Sequence, residues 1–224
     1  MIGRIGRAVL LGGLLLGGCT NQPVDTSINP ILSEAWDTIG ASVRPKPAPS
    51  GPLITREKLA TISAPVLLIT VEQSGEQGTA IPLGVNGDAV TWITANGASL
   101  TFKGQALFST RGLGADLLTA EMGGLPAAIA SRSPARYGRA MRFINGDESI
   151  RKERYFCELT RDGSETRVVL GRSHATTRLR ESCYELNGSY EFQNLFWVGG
   201  DGTVWDSRQW VSATVGHLVV QRLQ

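Results

Sequence analysis

From Ala64 to the C-terminus, apolar and polar residues alternate in short runs separated by glycine-containing turns. Alternation with period two marks a strand with one buried face. It predicts strands over Pro65–Val71, Thr79–Val85, Ala89–Thr94, Ser99–Lys103 and Ala106–Thr110. More follow over Gly138–Asn145, Arg151–Thr160, Thr166–Gly171, Thr176–Leu186, Tyr190–Val198, Thr203–Trp210 and His217–Leu223. Asn86-Gly87 and Asn96-Gly97 suit tight hairpins, because both residue types tolerate positive φ. Asp162-Gly163, Asn187-Gly188 and Gly199–Gly202 mark further turns. Gly112–Ala130 breaks the rhythm and predicts a short helix, Ala115–Met122, closed by Gly123-Gly124. The expected fold is all-β, an antiparallel β-barrel-like or sandwich domain with a few short helices.

The N-terminal quarter follows other rules. Arg4 and Arg7 precede the apolar run Ala8–Leu16, which is too short for the ~20 residues of a membrane-spanning helix. It fits the core of a secretory signal peptide. Leu16-Gly17-Gly18-Cys19 resembles a bacterial lipobox, which assigns residues 1–18 to a lipoprotein signal peptide and Cys19 to lipidation. Two or more acyl chains, palmitate among them, would anchor the chain stably, whereas one would hold it only marginally. Thr20 after the cysteine favours the outer membrane by the known sorting rule. Residues 19–55 then form a lipidated tether holding six of the ten prolines, with Pro45–Pro52 an extended spacer. Inside it, Asn29, Pro30 and Gly40 bracket a helix over 30–39 with Ile31, Leu32, Ala35, Trp36 and Ile39 on one face. That stripe packs either on its own domain or on a partner or membrane. The β-rich domain occupies 56–224.

Charge changes the picture once the leader is removed. The full chain carries 22 basic and 20 acidic residues, and loss of Arg4 and Arg7 leaves the mature chain balanced. Neither a nucleic-acid partner nor a strongly acidic carrier is expected. The distribution is uneven: residues 132–180 hold twelve Lys/Arg against six Asp/Glu. Most of the cations are arginine, which suits bidentate contacts to carboxylate or phosphate. Either these arginines scatter over several solvated faces, or they form a basic patch for an acidic glycan or headgroup. The ligand-binding candidates are Arg136, Arg139, Arg142 and Arg208 with Trp205 and Trp210.

Other chemistry is sparse. Cys157 and Cys183 are the thiols left after acylation, and an oxidising periplasm favours pairing them. A strand at 166–171 lying between them would hold their Cα atoms about 10 Å apart, beyond disulfide reach. A bridge and two buried thiols are both open. His174 and His217 lack a partner at dyad or triad spacing, and no nucleophile elbow, zinc-protease helix or P-loop occurs. No cofactor or metal is expected, and no catalytic residue stands out. Dispersed carboxylates could still serve a glycosidase.

The stretch Leu100-Thr101-Phe102-Lys103-Gly104 with Thr110–Leu117 resembles the YjbF/GfcB lipoprotein family. So do Phe192-Gln193-Asn194-Leu195-Phe196-Trp197 and Trp205–Ser212. The resemblance runs from about Ile28 to Leu223, in order, behind the lipobox. It implies an outer-membrane lipoprotein facing the periplasm, a barrel-like fold, and association with exopolysaccharide or capsule export. It implies no catalytic residues. The leading expectation is therefore a non-enzymatic accessory factor in polysaccharide secretion or assembly. Its partners would be the membrane, an acidic polysaccharide or secretion-machinery proteins. The alternatives are an enzyme modifying envelope glycans and an assembly factor for envelope proteins.

The anchor is directly testable. Intact mass of the mature protein should show acylation at Cys19, and Cys19→Ala should block processing by the lipoprotein peptidase. An unlipidated N-terminus elsewhere would refute the assignment.

Overall fold

The computed structural model describes residues 54–144, 149–186 and 190–224. The signal peptide, Cys19, the tether with its 30–39 helix, and the Asn187-Gly188 turn lie outside the described residues. Twelve antiparallel strands form one sheet. They are β1 (Leu67–Val71), β2 (Gln77–Asn86), β3 (Ala89–Thr94), β4 (Ser99–Lys103), β5 (Ala106–Arg111) and β6 (Leu117–Glu121). β7 (Ala135–Ile144), β8 (Ile150–Val169), β9 (Arg172–Glu185), β10 (Tyr190–Gly199), β11 (Val204–Ser212) and β12 (Gly216–Arg222) follow. Two short helices among the described residues accompany them, α1 (Arg56–Ala60) and α2 (Leu125–Ser131).

Consecutive strands pair as a meander, except between β5 and β6, and β1 pairs with β12 from Leu67↔Arg222 to Val71↔Leu218. The ends of the meander thus meet in the middle of the sheet. β5 and β6 become its edges, and the sheet curls into a nearly closed barrel. Side chains bridge the remaining seam. The Thr110 hydroxyl accepts the Leu117 N–H at 3.0 Å and donates to Asp116 at 2.8 Å. Arg111 donates to the Leu117 carbonyl at 3.1 Å. These bonds occupy edge groups that would otherwise be open to another chain.

Alternation sorts the side chains. Ile69, Trp92, Leu100, Leu107, Met141, Leu159, Leu179, Phe196 and Leu218 point inward and build the main core. α2 adds Leu125, Ala128 and Ile129 to that core at one end of the barrel. Its C-cap, Arg132, takes a left-handed conformation and donates to the Gly199 carbonyl at 3.1 Å. A second cluster lies on the outer face. Ile54 and Leu59 of the α1 segment pack there on Val66, Ile81, Val169 and Leu223.

Two local expectations are corrected. Leu117–Glu121, expected within a helix over Ala115–Met122, is strand β6, and the helix comes one segment later. Short apolar runs do not distinguish the two by periodicity, and here an unpaired β7 edge is covered by making β6 a strand. The diglycine closes a strand. A Cβ on Gly123, at φ +50°, would come within 2.8 Å of the Gly138 carbonyl oxygen. The expected strands at 151–160 and 166–171 are likewise one strand, β8, which ends at Val169 before a turn at Leu170-Gly171. Asp162-Gly163 is a bulge between Arg161 and Ser164, with Gly163 at φ +99°.

That correction decides the cysteines. β8 lies directly beside β9, Cys157 stands opposite Cys183 in register, and the two form a disulfide with Cα atoms 4.2 Å apart. No strand intervenes, so the geometric objection falls away. The bridge closes a 26-residue interval, for which chain entropy predicts about 3–4 kcal/mol. Urea unfolding with and without reductant should differ by that amount, and thiol labelling of denatured, unreduced protein should find neither cysteine. Two labelled thiols, or coincident curves, would contradict the role assigned to the bridge.

Candidate functional site

The inner wall carries a buried ion pair. Glu181 of β9 is fully buried, and its carboxylate accepts from Arg139 of β7 at 2.9 and 3.0 Å. The Tyr137 hydroxyl donates to it at 3.0 Å and the Asn194 amide at 2.6 Å. Asn194 in turn accepts the Trp210 N–H at 2.6 Å, beyond the point where the β10–β11 ladder ends at Leu195↔Arg208. Burial, followed by the adjoining Glu181 charge, pushes the Tyr137 hydroxyl far above its ordinary pKa, so it remains a donor. The sulfurs of Cys157 and Cys183 lie within 4.8 Å of this carboxylate. They are bonded to each other and so offer no thiolate, and the carboxylate is already saturated with donors. The centre is structural.

This corrects one sequence expectation. Arg139, expected at a ligand-binding surface, faces the lumen and is consumed by Glu181, because period-two alternation sends 137, 139, 141 and 143 inward. Arg136 and Arg142 stay outside on β7. Arg136 meets Glu158 at 2.7 Å and Arg142 meets Glu121 at 2.5 Å. The register Arg142↔Lys152 and Ala140↔Arg154 places two further cations on that face, which sequence reading did not single out. Ile144 stands opposite Ile150, and Phe156 opposite Tyr184, all four exposed on the same surface. Cross-strand register was the missing signal: alternation alone assigns a face but not a neighbour.

The β11 candidates lie elsewhere, with β8, β9 and β10 between them and β7. Arg208 grips Glu72, with Nε at 2.8 Å from one oxygen, and its hydrogen bonds hold the Glu72 carboxyl below the usual range. Trp210 is half-buried between Phe192, stacked at 5.8 Å, and His217, edge-on at 5.0 Å. Trp205 stacks on His174 at 3.6 Å. The outer part of the β8–β9 hairpin folds over this side. Arg167 pairs with Asp206, Glu165 accepts the Trp197 indole N–H, and Arg56 holds the Val169 and Leu170 carbonyls at 2.8 and 2.6 Å. The candidates therefore form no single site. The β7–β8 face is open, whereas most of the β10–β11 face is covered.

Cavities open at both ends. The largest, about 680 Å³, lies among the β1–β2, β3–β4 and β11–β12 turns. Ile69, Leu100 and Val215 form its floor, Gln73 and Asn96 stand at its rim, and Glu76 is its one carboxylate. A second, about 270 Å³, enters the lumen at the opposite end beside Trp92, Phe102 and Arg222.

The fold and these sites define a nearly closed antiparallel barrel with a packed lumen and a cationic outer face. The chain belongs to the YjbF family, described as group 4 capsule polysaccharide lipoprotein GfcB, YjbF, whose pattern matches residues 36–223. The family is one of capsule-associated lipoproteins of the cell envelope. The crystal structure of the hypothetical lipoprotein YmcC from Escherichia coli K12 is similar, with a TM-score of 0.71 at 18% identity. That similarity covers 88% of this chain and 96% of the other, and it shows the shared fold. Comparison with curated proteins finds no match.

His217 makes the wall beside Trp210 sensitive to acid. Its Nε2–H donates to the Gln193 carbonyl at 2.8 Å, a bond that by itself favours the charged ring. Burial, and then the Arg208 charge, lower its pKa below the ordinary value. The unfolded chain therefore binds a proton more readily, and stability falls as pH drops through the range just below about 6.5. His174, lowered chiefly by burial, acts in the same direction. Urea midpoints should decline from about pH 7 to about pH 5, and His217→Gln should reduce that decline. An unchanged pH profile in H217Q would exclude His217 as a source.

Proposed function

We propose that the protein is an outer-membrane lipoprotein facing the periplasm, a non-enzymatic accessory factor in exopolysaccharide or capsule secretion or assembly. Its open β7–β8 face is the surface that engages acidic polysaccharide. The observation that carries this reading is the grouping of Arg136, Arg142, Lys152 and Arg154 on one outward face against Glu121 and Glu158. Arginines pair bidentately with carboxylates, which are the recurrent anion of acidic glycans. Exposed Phe156 and Tyr184 supply apolar ring faces beside them, the surface on which the C–H side of a sugar ring can stack. Membership of a capsule-associated lipoprotein family supports the same reading.

A glycosidase needs two carboxylates roughly 5–10 Å apart across one cleft. The largest cavity presents Glu76 alone, and the second presents Asp88, which is paired with Lys103 at 3.2 Å. Binding without bond cleavage is the chemistry these surfaces favour.

Replacing Arg142, Lys152 and Arg154 together by alanine should weaken retention on acidic polysaccharide, most clearly at low salt where screening is least. Melting should change little, because exposed ion pairs contribute at most about 1 kcal/mol each. Cells carrying the triple variant should export less polysaccharide. Full secretion without the protein, or cleavage of envelope glycan by purified protein, would overturn the proposal.

A further inference from the structure

Arg222 differs from most arginines that are buried or half-buried in the fold. Arg139, Arg167, Arg178 and Arg208 each meet a carboxylate. Arg222 sits opposite Leu67 in the β1–β12 register and therefore points into the lumen with Val220. Its guanidinium has no hydrogen bond or ion pair among the described residues, and its one close partner is the Trp92 ring, 5.8 Å from the guanidinium carbon. Asp88 pairs with Lys103, and Asp201, which acts on Arg222 by charge without an ion pair, accepts from the Thr203 backbone and hydroxyl. Burial lowers the Arg222 pKa, the mark of a cation held in poor solvent.

Arg222 also lines the 270 Å³ cavity at this end of the barrel. Its apolar walls are Leu67, Val90, Trp92, Phe102, Val204 and Val220, and its one carboxylate, Asp88, is neutralised by Lys103 at 3.2 Å. Two glutamines share the cavity, but their amides hold β5 to β11. Gln209 accepts the Leu107 N–H at 2.7 Å and donates to the Gln105 carbonyl at 3.2 Å and to Ser207 at 3.0 Å. Gln105 accepts the Val204 N–H at 2.7 Å and donates to the Gly202 carbonyl at 2.9 Å. What remains for a ligand is a guanidinium, the Ser207 hydroxyl hydrogen and an apolar chamber.

We propose that this lumenal pocket binds a monocarboxylate of the fatty-acid type, its carboxylate on Arg222 and its apolar body against Trp92 and Phe102. A sugar acid fits the charge equally but not the walls. Its ring hydroxyls would be buried beside Leu67, Val90 and Val220, with the glutamine amides already engaged, and an unpaired buried hydroxyl is costly. The site is independent of the polysaccharide face on β7–β8 and stands or falls separately.

The test uses residues 20–224, which contain the whole described barrel, exported behind an ordinary cleavable leader so that no detergent is needed. Calorimetric titration with octanoate should show saturable one-to-one binding, and glucuronate should bind more weakly. Arg222→Gln should weaken octanoate by about tenfold to a hundredfold, the range for losing a charge-assisted hydrogen bond. Val90→Phe, which fills the chamber, should abolish binding while the protein stays folded. Arg136→Ala should leave it unchanged. Absence of saturable octanoate binding, tighter binding of glucuronate, or wild-type affinity in R222Q would overturn the proposal. Should R222Q unfold, V90F decides, and octanoate binding retained in it overturns the proposal.

Discussion

A carboxylate sealed inside an apolar barrel constrains everything around it. Glu181 is tolerable only while Arg139 neutralises it and Tyr137 and Asn194 complete its hydrogen bonds. Removing one partner of such a pair typically costs about 3–5 kcal/mol, because the other is left charged and unsolvated. The donors come from β7 and β10, and Asn194 extends the network to the β11 backbone. The spacing of these strands is thereby set by four hydrogen bonds to one group. Asn194 stands where the β10–β11 ladder stops and supplies the acceptor that the backbone no longer provides. The Cys157–Cys183 bridge reinforces the adjoining β8–β9 pair from the same inner face.

Closure follows a different logic on each side. At the β5–β6 seam, Thr110 and Arg111 substitute for a missing ladder. On the outer face of β10–β11, the folded-over β8–β9 hairpin and α1 supply cover, held by Arg56 and the Arg167–Asp206 pair. The bulge at Asp162-Gly163 allows that bend, since two residues set against the single Arg178 increase local twist without ending the strand. Covering one side while leaving β7–β8 bare divides the surface. Tryptophans that could have displayed a ligand-stacking face are largely enclosed, and Phe156 with Tyr184 takes the exposed position.

Arginine accordingly serves three separate purposes. Within the wall it neutralises buried acids, as Arg139 does for Glu181 and Arg167 for Asp206. Outside, on β7 and β8, it accumulates with only partial compensation. At the lumen's end, Arg222 meets an indole and an open cavity. One composition bias, twelve cations within residues 132–180 and one near the C-terminus, is thus resolved into distinct electrostatic environments.

Local pattern determined the fold class, most strand positions and both hairpin Asn-Gly turns, because alternation and turn chemistry act over a few residues. β3 and β4 begin and end where the pattern places them, at Ala89–Thr94 and Ser99–Lys103. The family resemblance was legible for the same reason, in short ordered motifs. Tertiary structure alone decided that Leu117–Glu121 is a strand, since only an edge awaiting a partner distinguishes it from a helix. It decided that Asp162-Gly163 bends a strand instead of ending one, and so that Cys157 faces Cys183. It also parted Arg139 from Arg136 and Arg142. Which face of a strand is buried, and which side chain lies across from it, depends on register with chain segments far away in sequence, and no local pattern carries that information.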